Sequence, residues 1–369
     1  MNLASWLYRT GVCVAVLGGG CVDESSAPDE ADEDAILPAL KLAPGGGGGG
    51  QGGDGEVVDV EVLDVTIPAS LHAQGLAVPA KLVRPKWSKP VGKRPGMLVL
   101  HGSGGLLKMP KSKADKPCSA AMEAQFADWS QRLAEMGYTV LLPSSYSARG
   151  FCDEHKDTGR IPKTFDEKPE VVLGRLYDAD AAARFLCGRP EVDCERMGML
   201  GFSQGATAVM TMLHWQGAHA IQQYRAANAG KLDIEVPDLA PGAPDFQIGV
   251  AYYPGCGFDG FVGYATGAKA KSLEKFASPA PLVILHGSED PLVEHCSTQY
   301  GKGTRQIQAG EVAKELKIAD SYEITVYPKA GHSFDSPGGS GSGGGHPGDA
   351  AARDAALAVT KKRLAEHLD

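Results

Sequence analysis

The stretch that decides the fold is residues 197–210, MGMLGFSQGATAVM. Its opening run, residues 197–202, is almost wholly apolar, as is typical of a central strand covered on both faces. From residue 204 onward the chain predicts an apolar helix, over 204–215. Gly201 and Gly205 flank Ser203 at the junction, where a sharp turn leaves no space for side chains. The stretch therefore predicts a strand, a tight turn that exposes Ser203, and a helix; a helix-capping serine in an ordinary tight turn is the alternative.

Outward from this stretch, strands alternate with helices. The predicted strands are residues 58–62, 78–83, 97–100, 138–142, 197–202, 248–253, 282–285 and 322–326, and the predicted helices are 122–136, 172–186, 204–215 and 350–368. The middle strands are apolar throughout, which indicates a mostly parallel, doubly wound sheet with helices on both faces. Because no helix separates the first two strands, they predict an antiparallel edge at the N-terminal side of the sheet.

Active-site residues of such sheets gather in loops at the carboxyl ends of the strands. A serine hydroxyl needs a base to take its proton, and His332 follows the last predicted strand. The base needs an acid to orient it, and Asp290 follows the strand at 282–285, with Glu289 as a competitor. His346 lies in a Gly/Ser/Pro-rich loop and is interpreted as a surface residue. The sequence thus predicts a catalytic triad of Ser203, Asp290 and His332.

Nucleophilic attack on an ester also requires two N–H groups where the oxyanion develops. The backbone N–H of Gln204, directly after the nucleophile, supplies one. The other is expected from the loop after the strand at 97–100, which reads HGSGG, with Ser103 as the first choice and Gly104 as the second. The triplet His-Gly-Ser recurs at 286–288, and this copy is interpreted as structural.

These motifs together resemble the dienelactone hydrolase family of the α/β-hydrolase superfamily. The matching pieces are HGSGG at 101–105, GFSQG at 201–205, YPGC at 253–256, GSED at 287–290 and GHSF at 331–334. The resemblance implies the α/β-hydrolase fold, the triad above, and hydrolysis of carboxylic esters without a cofactor or a metal. It spans roughly residues 56–369.

The chain departs from the family pattern at three places. The founding enzymes carry a cysteine nucleophile, an acidic residue in the loop after the first central strand, and an arginine shortly after the catalytic histidine. Here Ser203 stands in the first place, the loop has no acid, and Phe334, Asp335 and Ser336 follow the histidine. A dienelactone substrate is therefore not implied. Arg149 is a candidate contact for an anionic substrate; a solvated loop cation is the alternative.

The N-terminal residues predict export. A short apolar core at 11–17 is followed by three glycines and Cys21, which resembles a lipoprotein signal with Cys21 as the lipidated residue. An ordinary secretory signal with an incidental cysteine is the alternative. Residues 22–55 are acidic and then Gly-rich, and they predict a disordered linker. The domain organisation is thus a signal at 1–21, a linker at 22–55 and a hydrolase domain at 56–369.

Six cysteines follow Cys21, an even number that predicts a disulfide framework in an exported chain. The hypothesised pairs are Cys187 with Cys194, Cys256 with Cys296, and Cys118 with Cys152. In a cytosolic chain the same residues would be free buried thiols.

The charge pattern excludes one class of partner. The formal net charge is -9, and no basic stripe is present to bind a phosphate backbone, so no nucleic-acid partner is expected. The expected partner is a small-molecule ester, and membrane association is expected only through the lipid anchor. A peptidase or thioesterase on the same fold, or a non-catalytic binding protein on a hydrolase scaffold, are the alternative functions.

Overall fold

The computed structural model of the protein describes residues 55–109, 118–153, 169–213, 244–255, 278–293, 322–336 and 345–369. These residues form an eight-stranded sheet. In spatial order its strands are β1 (Val57–Ile67), β2 (Val78–Trp87), β4 (Thr139–Pro143), β3 (Arg94–Leu100), β5 (Val192–Phe202), β6 (Phe246–Tyr252), β7 (Leu282–Gly287) and β8 (Tyr322–Tyr327). The signal peptide, Cys21, nearly all of the linker, and the pair Cys256 and Cys296 lie outside the described residues.

The N-terminal edge of the sheet is antiparallel, as predicted. Strand β1 (Val57–Ile67) turns through a short 3-10 helix at Ala69–Leu71 into β2 (Val78–Trp87), and the two pair over most of their length. β2 also pairs antiparallel with β4 (Thr139–Pro143). Both strands are longer than predicted: β1 continues through the alternating apolar residues Leu63, Val65 and Ile67, and β2 continues to Arg84, which pairs with Glu61, and beyond.

The remaining strands are parallel, and their carboxyl ends therefore share one edge of the sheet. They are β3 (Arg94–Leu100), β4, β5 (Val192–Phe202), β6 (Phe246–Tyr252), β7 (Leu282–Gly287) and β8 (Tyr322–Tyr327). β5 begins at Val192, five residues before the apolar run, because Val192 pairs with Arg94. A register shift between Pro95 and Gly96 of β3 accommodates the polar residues of β5 that precede the run. Tyr253 was predicted in β6 but lies just beyond it.

Four helices are described: α1 (Ala124–Glu135), α2 (Pro169–Cys187), α3 (Gln204–Leu213) and α4 (Asp349–Leu368). α1 is shorter than the predicted 122–136, because Met122 forms a β-bridge with Leu107 instead. The helix is followed by Gly137, whose left-handed backbone, with a φ of 93°, is typical of the residue after a helix C-cap.

Two apolar layers enclose the sheet. Successive residues of β3 point to opposite faces: Leu98 belongs to the cluster with α2 and α3, whereas Val99 belongs to the cluster with α1 and α4. Both residues are buried. The doubly wound arrangement inferred from the apolar strands is therefore confirmed, and it leaves the carboxyl edge as the place where loops converge.

Two of the three hypothesised disulfides are present. Cys118 is bonded to Cys152 and Cys187 to Cys194, with Cα–Cα distances of 5.3 and 4.7 Å. Disulfides of this kind are typical of proteins outside the cytosol. Within the described ranges, no helix is long and apolar enough to cross a membrane.

Candidate active site

Ser203 occupies a strained turn between β5 and α3. Its φ is 51°, in the left-handed region that residues other than glycine rarely adopt. A side chain on Gly201 would overlap the backbone of Gly205, and one on Gly205 would overlap the carbonyls of Leu100 and His101. Gly201 is therefore required by the tightness of the turn, as the sequence predicts, and Gly205 by the close approach of the turn to the end of β3.

The structure brings Ser203, His332 and Asp290 together. His332 Nε2 lies 2.9 Å from Ser203 Oγ, and His332 Nδ1 lies 2.8 Å from Asp290 Oδ2. A carboxylate only accepts, so Nδ1 carries the proton and donates to Asp290. Nε2 is then free to accept the hydroxyl proton of Ser203. The arrangement can generate a nucleophilic alkoxide and stabilise the imidazolium that forms.

Asp290, rather than Glu289, is the acid that contacts the histidine. Asp290 is 1% exposed, and its Oδ1 accepts from the backbone N–H of Leu292 at 2.8 Å. Glu289 is exposed. Burial alone would raise the pKa of Asp290, but the neighbouring histidines His286 and His332 outweigh burial and lower it. The carboxylate is therefore ionised, as an acid that orients a histidine must be.

His286 contributes more than the sequence suggests. The triplet at 286–288 was interpreted as structural, and His286 is indeed fully buried. Its Nε2 donates to the carbonyl of Pro254 at 3.0 Å, while its Nδ1 lies 3.2 Å from Asp290 Oδ2. The triad carboxylate thus lies between two histidines, a contact between β7 and its own loop that the sequence pattern does not disclose.

The predicted oxyanion loop lies directly on the nucleophile turn. A Cβ on Gly102 would lie 3.2 Å from the carbonyl oxygen of Phe202 and 3.4 Å from Ser203 Cβ. This close approach brings the loop that carries Ser103 against the turn that carries Ser203. Gln204 is the first residue of α3, so its N–H lies among those at the N-terminus of the helix that lack an intrahelical partner.

Arg149 is engaged with protein groups. Its guanidinium contacts both carboxylate oxygens of Asp178, at 2.7 and 3.2 Å, and donates to the carbonyl of Ser145 at 2.8 Å. Asp178 also accepts from His72 Nε2 at 2.9 Å. The Arg149 side chain is only 13% exposed, which contradicts the alternative of a solvated loop cation. Substrate contact by Arg149 therefore stays a prediction, and its charge is already compensated.

Asp335 is a site residue that sequence reasoning missed. It lies three residues beyond His332, is 3% exposed, and its carboxylate accepts from Tyr253 Oη at 2.5 Å and Trp129 Nε1 at 2.8 Å. Gln125 Nε2 donates to both of its oxygens. Burial raises the pKa of Asp335, and these hydrogen bonds offset part of the effect. Gln125 and Trp129 are four residues apart on α1, so they lie on the same face of the helix. That spacing does not indicate that both side chains contact Asp335.

Tyr253 links this carboxylate to the triad. Its ring packs against the His332 ring, with centroids 4.7 Å apart, and its backbone is left-handed, with a φ of 40°. Asp335 therefore anchors the histidine loop to α1 and to the end of β6.

Across the described ranges, no group of His, Cys, Asp or Glu is arranged to hold a metal ion.

A mostly parallel sheet with a sharp strand-to-helix turn at Ser203 defines the α/β-hydrolase fold. Comparison with protein families gives a second result: residues 78–225 match the Dienelactone hydrolase family. The family resemblance indicated by the motifs is thereby confirmed over that segment, which contains Ser203.

Solved structures show the same fold at low identity. The dienelactone hydrolase-like promiscuous phosphotriesterase P91 from metagenomic libraries is 17% identical, with 84% of this chain and 99% of that chain covered and a TM-score of 0.52. The structure named m3DLH is 15% identical over the same shares, also with a TM-score of 0.52. No curated protein matches the sequence.

Asp335→Asn tests the anchor. The change places an amide N–H₂ among three donors, and we expect the free energy of unfolding to fall by about 1–3 kcal/mol. Turnover should fall as well, because the loop that carries His332 loosens. Urea denaturation and ester hydrolysis measure the two effects. Asp354→Asn, at an exposed position of α4, is the control and should change neither; an unchanged Asp335→Asn protein would contradict the anchor.

Proposed function

We propose that the protein is a serine esterase that hydrolyses carboxylic esters through an acyl-enzyme intermediate. Hydrolysis of esters is the activity to which the family match points. The observation that carries the serine mechanism is the continuous hydrogen-bonded chain from Ser203 through His332 to Asp290. Because His332 donates through Nδ1 to Asp290, its Nε2 can accept the proton of Ser203. Ser203 is therefore the proposed nucleophile, His332 the base and Asp290 the acid.

In the proposed mechanism, Ser203 Oγ attacks the ester carbonyl while His332 Nε2 takes the hydroxyl proton. The tetrahedral oxyanion accepts hydrogen bonds from the backbone N–H groups of Ser103 and Gln204. His332 then gives its proton to the leaving alkoxide, which departs as an alcohol and leaves the acyl group on Ser203. Water, deprotonated by His332, hydrolyses the acyl-enzyme and restores the serine.

We also propose that the protein works outside the cytosol. The disulfides Cys118–Cys152 and Cys187–Cys194 support this location, and Cys21 is the proposed lipid anchor. The proposed substrate is a small ester, and no residue is assigned to a cofactor.

The nucleophile is tested by Ser203→Ala. The wild-type protein should react with a fluorescent fluorophosphonate and hydrolyse p-nitrophenyl acetate, whereas Ser203→Ala should label not at all and lose kcat by at least about 10⁴-fold. Ser119→Ala, which alters a half-buried serine outside the proposed triad, should behave like the wild type. Wild-type protein that neither labels nor hydrolyses esters would favour a binding protein on a hydrolase scaffold.

The acid is tested by comparing two substitutions. Asp290→Asn should lower kcat by about 10³- to 10⁴-fold, because His332 loses the partner that fixes its tautomer. Glu289→Gln should have little effect, since this side chain is exposed. Steady-state kinetics of both variants decide the assignment, and the reverse ranking would move the role to Glu289.

Substrate charge is tested with two esters. The family's arginine after the histidine is absent, and Arg149 is paired with Asp178. A buried carboxylate without a partner costs several kcal/mol, so a neutral short-chain ester should have a higher kcat/KM than dienelactone. Faster turnover of dienelactone would refute this expectation, and its loss in Arg149→Ala would then identify the cation that binds the substrate.

A further inference from the structure

The proposed oxyanion hole joins two segments that are distant in sequence, and the first is fixed at Gly102. The carbonyl of Gly102 accepts from His101 Nδ1 at 2.7 Å and from the backbone N–H of Gly105 at 3.1 Å. Since a trans peptide is planar, the N–H of Ser103 must point opposite to that carbonyl. Burial, and then the charge of Arg175, hold the pKa of His101 well below its usual range, so the ring is neutral and donates through Nδ1.

The second segment is fixed at the start of α3. The carbonyl of Ser203 accepts from the backbone N–H of Thr207 at 3.0 Å, which is the first hydrogen bond of the helix. By the same planarity, the N–H of Gln204 points away from the helix, out of its N-terminus. The direction of each proposed donor is thus set by the carbonyl that shares its peptide plane.

Arg175 connects the two segments. It lies on α2, is 3% exposed, and donates through Nη2 to the carbonyl of His101. Its Nη1 donates to Gln204 Oε1 at 2.9 Å and to Tyr146 Oη at 3.3 Å. Tyr146 Oη in turn donates to Gln204 Oε1, and the guanidinium carbon lies 5.3 Å from the centre of the Tyr146 ring. One rigid, planar group therefore cross-links the loop after β3 to the first residue of α3.

Among the described residues, the hydrogen-bond partners of Arg175 are neutral groups. In the part of the chain that the structure describes, no carboxylate lies within ion-pair distance of Arg175. By contrast, Arg184 on the same helix pairs with Asp180 at 2.9 Å. A buried guanidinium that faces a carbonyl and an amide oxygen fixes geometry, because its donors form a rigid fork.

We propose that Arg175 is the positioning residue of the oxyanion hole and holds its two donor segments in mutual register. The inference rests on the proposed function, because it assigns a role within the same site. Arg175 acts through His101 and Gln204 and does not itself touch the substrate. Misplacement of catalytic groups by about 1 Å costs on the order of 10²-fold in rate, so a cross-link of this kind affects the chemical step.

The decisive test separates kcat from KM. Arg175→Met should lower kcat for p-nitrophenyl acetate by about 10- to 100-fold and leave KM within about twofold, because oxyanion contacts form in the transition state. Arg175→Lys should restore part of the rate, since it keeps a charged donor. Arg184→Met is the matched control: it removes a partly buried arginine from the same helix and should lower the melting temperature without lowering kcat.

A double-mutant cycle tests the path through Gln204. Gln204→Leu keeps the backbone N–H but removes the acceptor for Arg175, so it should lower kcat, as Arg175→Met does. In the Arg175→Met/Gln204→Leu protein, the fold-decrease in kcat should be smaller than the product of the fold-decreases in the two single variants. Independent losses, a rise in KM with unchanged kcat, or an equal loss in Arg184→Met would overturn the proposal.

Amide hydrogen exchange supplies a measurement that does not need turnover. In Arg175→Met, or in Arg175→Lys if the first variant does not fold, exchange should rise in both 101–105 and 203–207. Unchanged exchange in either segment would overturn the proposed cross-link. Absence of ester hydrolysis by the wild-type protein would instead overturn the proposed function, and the exchange result would still decide whether Arg175 holds the two segments.

Discussion

The backbone of Gly205 packs directly on the carbonyls of Leu100 and His101, and the rest of the site depends on this contact. It brings the start of α3 against β3 and forces Ser203 into a left-handed conformation that costs roughly 1–3 kcal/mol. The strain is tolerated because the Ser203 N–H extends the sheet by donating to the carbonyl of Tyr252 at 2.9 Å. A central parallel sheet, buried on both faces, is rigid enough to hold such a turn.

Asp290 and Asp335 are two of the buried carboxylates near His332, and their surroundings give them different properties. Asp290 has histidine partners that lower its pKa, so it is an anion matched to an imidazolium. Asp335 is surrounded by neutral donors, and burial raises its pKa. The first can therefore orient and stabilise the base, while the second ties the loop to α1. Divergent environments of neighbouring carboxylates are a common way to divide roles within one site.

The sequence predicts the sheet well because apolar runs and glycine positions are local signals. Each described strand and helix lies within a few residues of its predicted place, and the pattern around Ser203 defines the turn. Side-chain networks are not local: Gln125 and Asp335 are 210 residues apart, and nothing in either neighbourhood indicates the partner. The same holds for Arg175, which carries no motif. Arg149 is a recognisable candidate because it follows a strand, but the apolar spacing of α2 gives no sign that Asp178, on that helix, is its partner.

The disulfides bear on the mechanism as well as on stability. Gly105, at the end of the oxyanion loop, has a φ of 83° and packs so closely on the Cys152 carbonyl that any side chain would overlap it. Cys152 is in turn bonded to Cys118, which joins the loops that follow β3 and β4. The proposed oxyanion loop therefore packs against a segment that the disulfide joins to the loop after β3. In the exported protein that the N-terminal sequence predicts, this disulfide would persist.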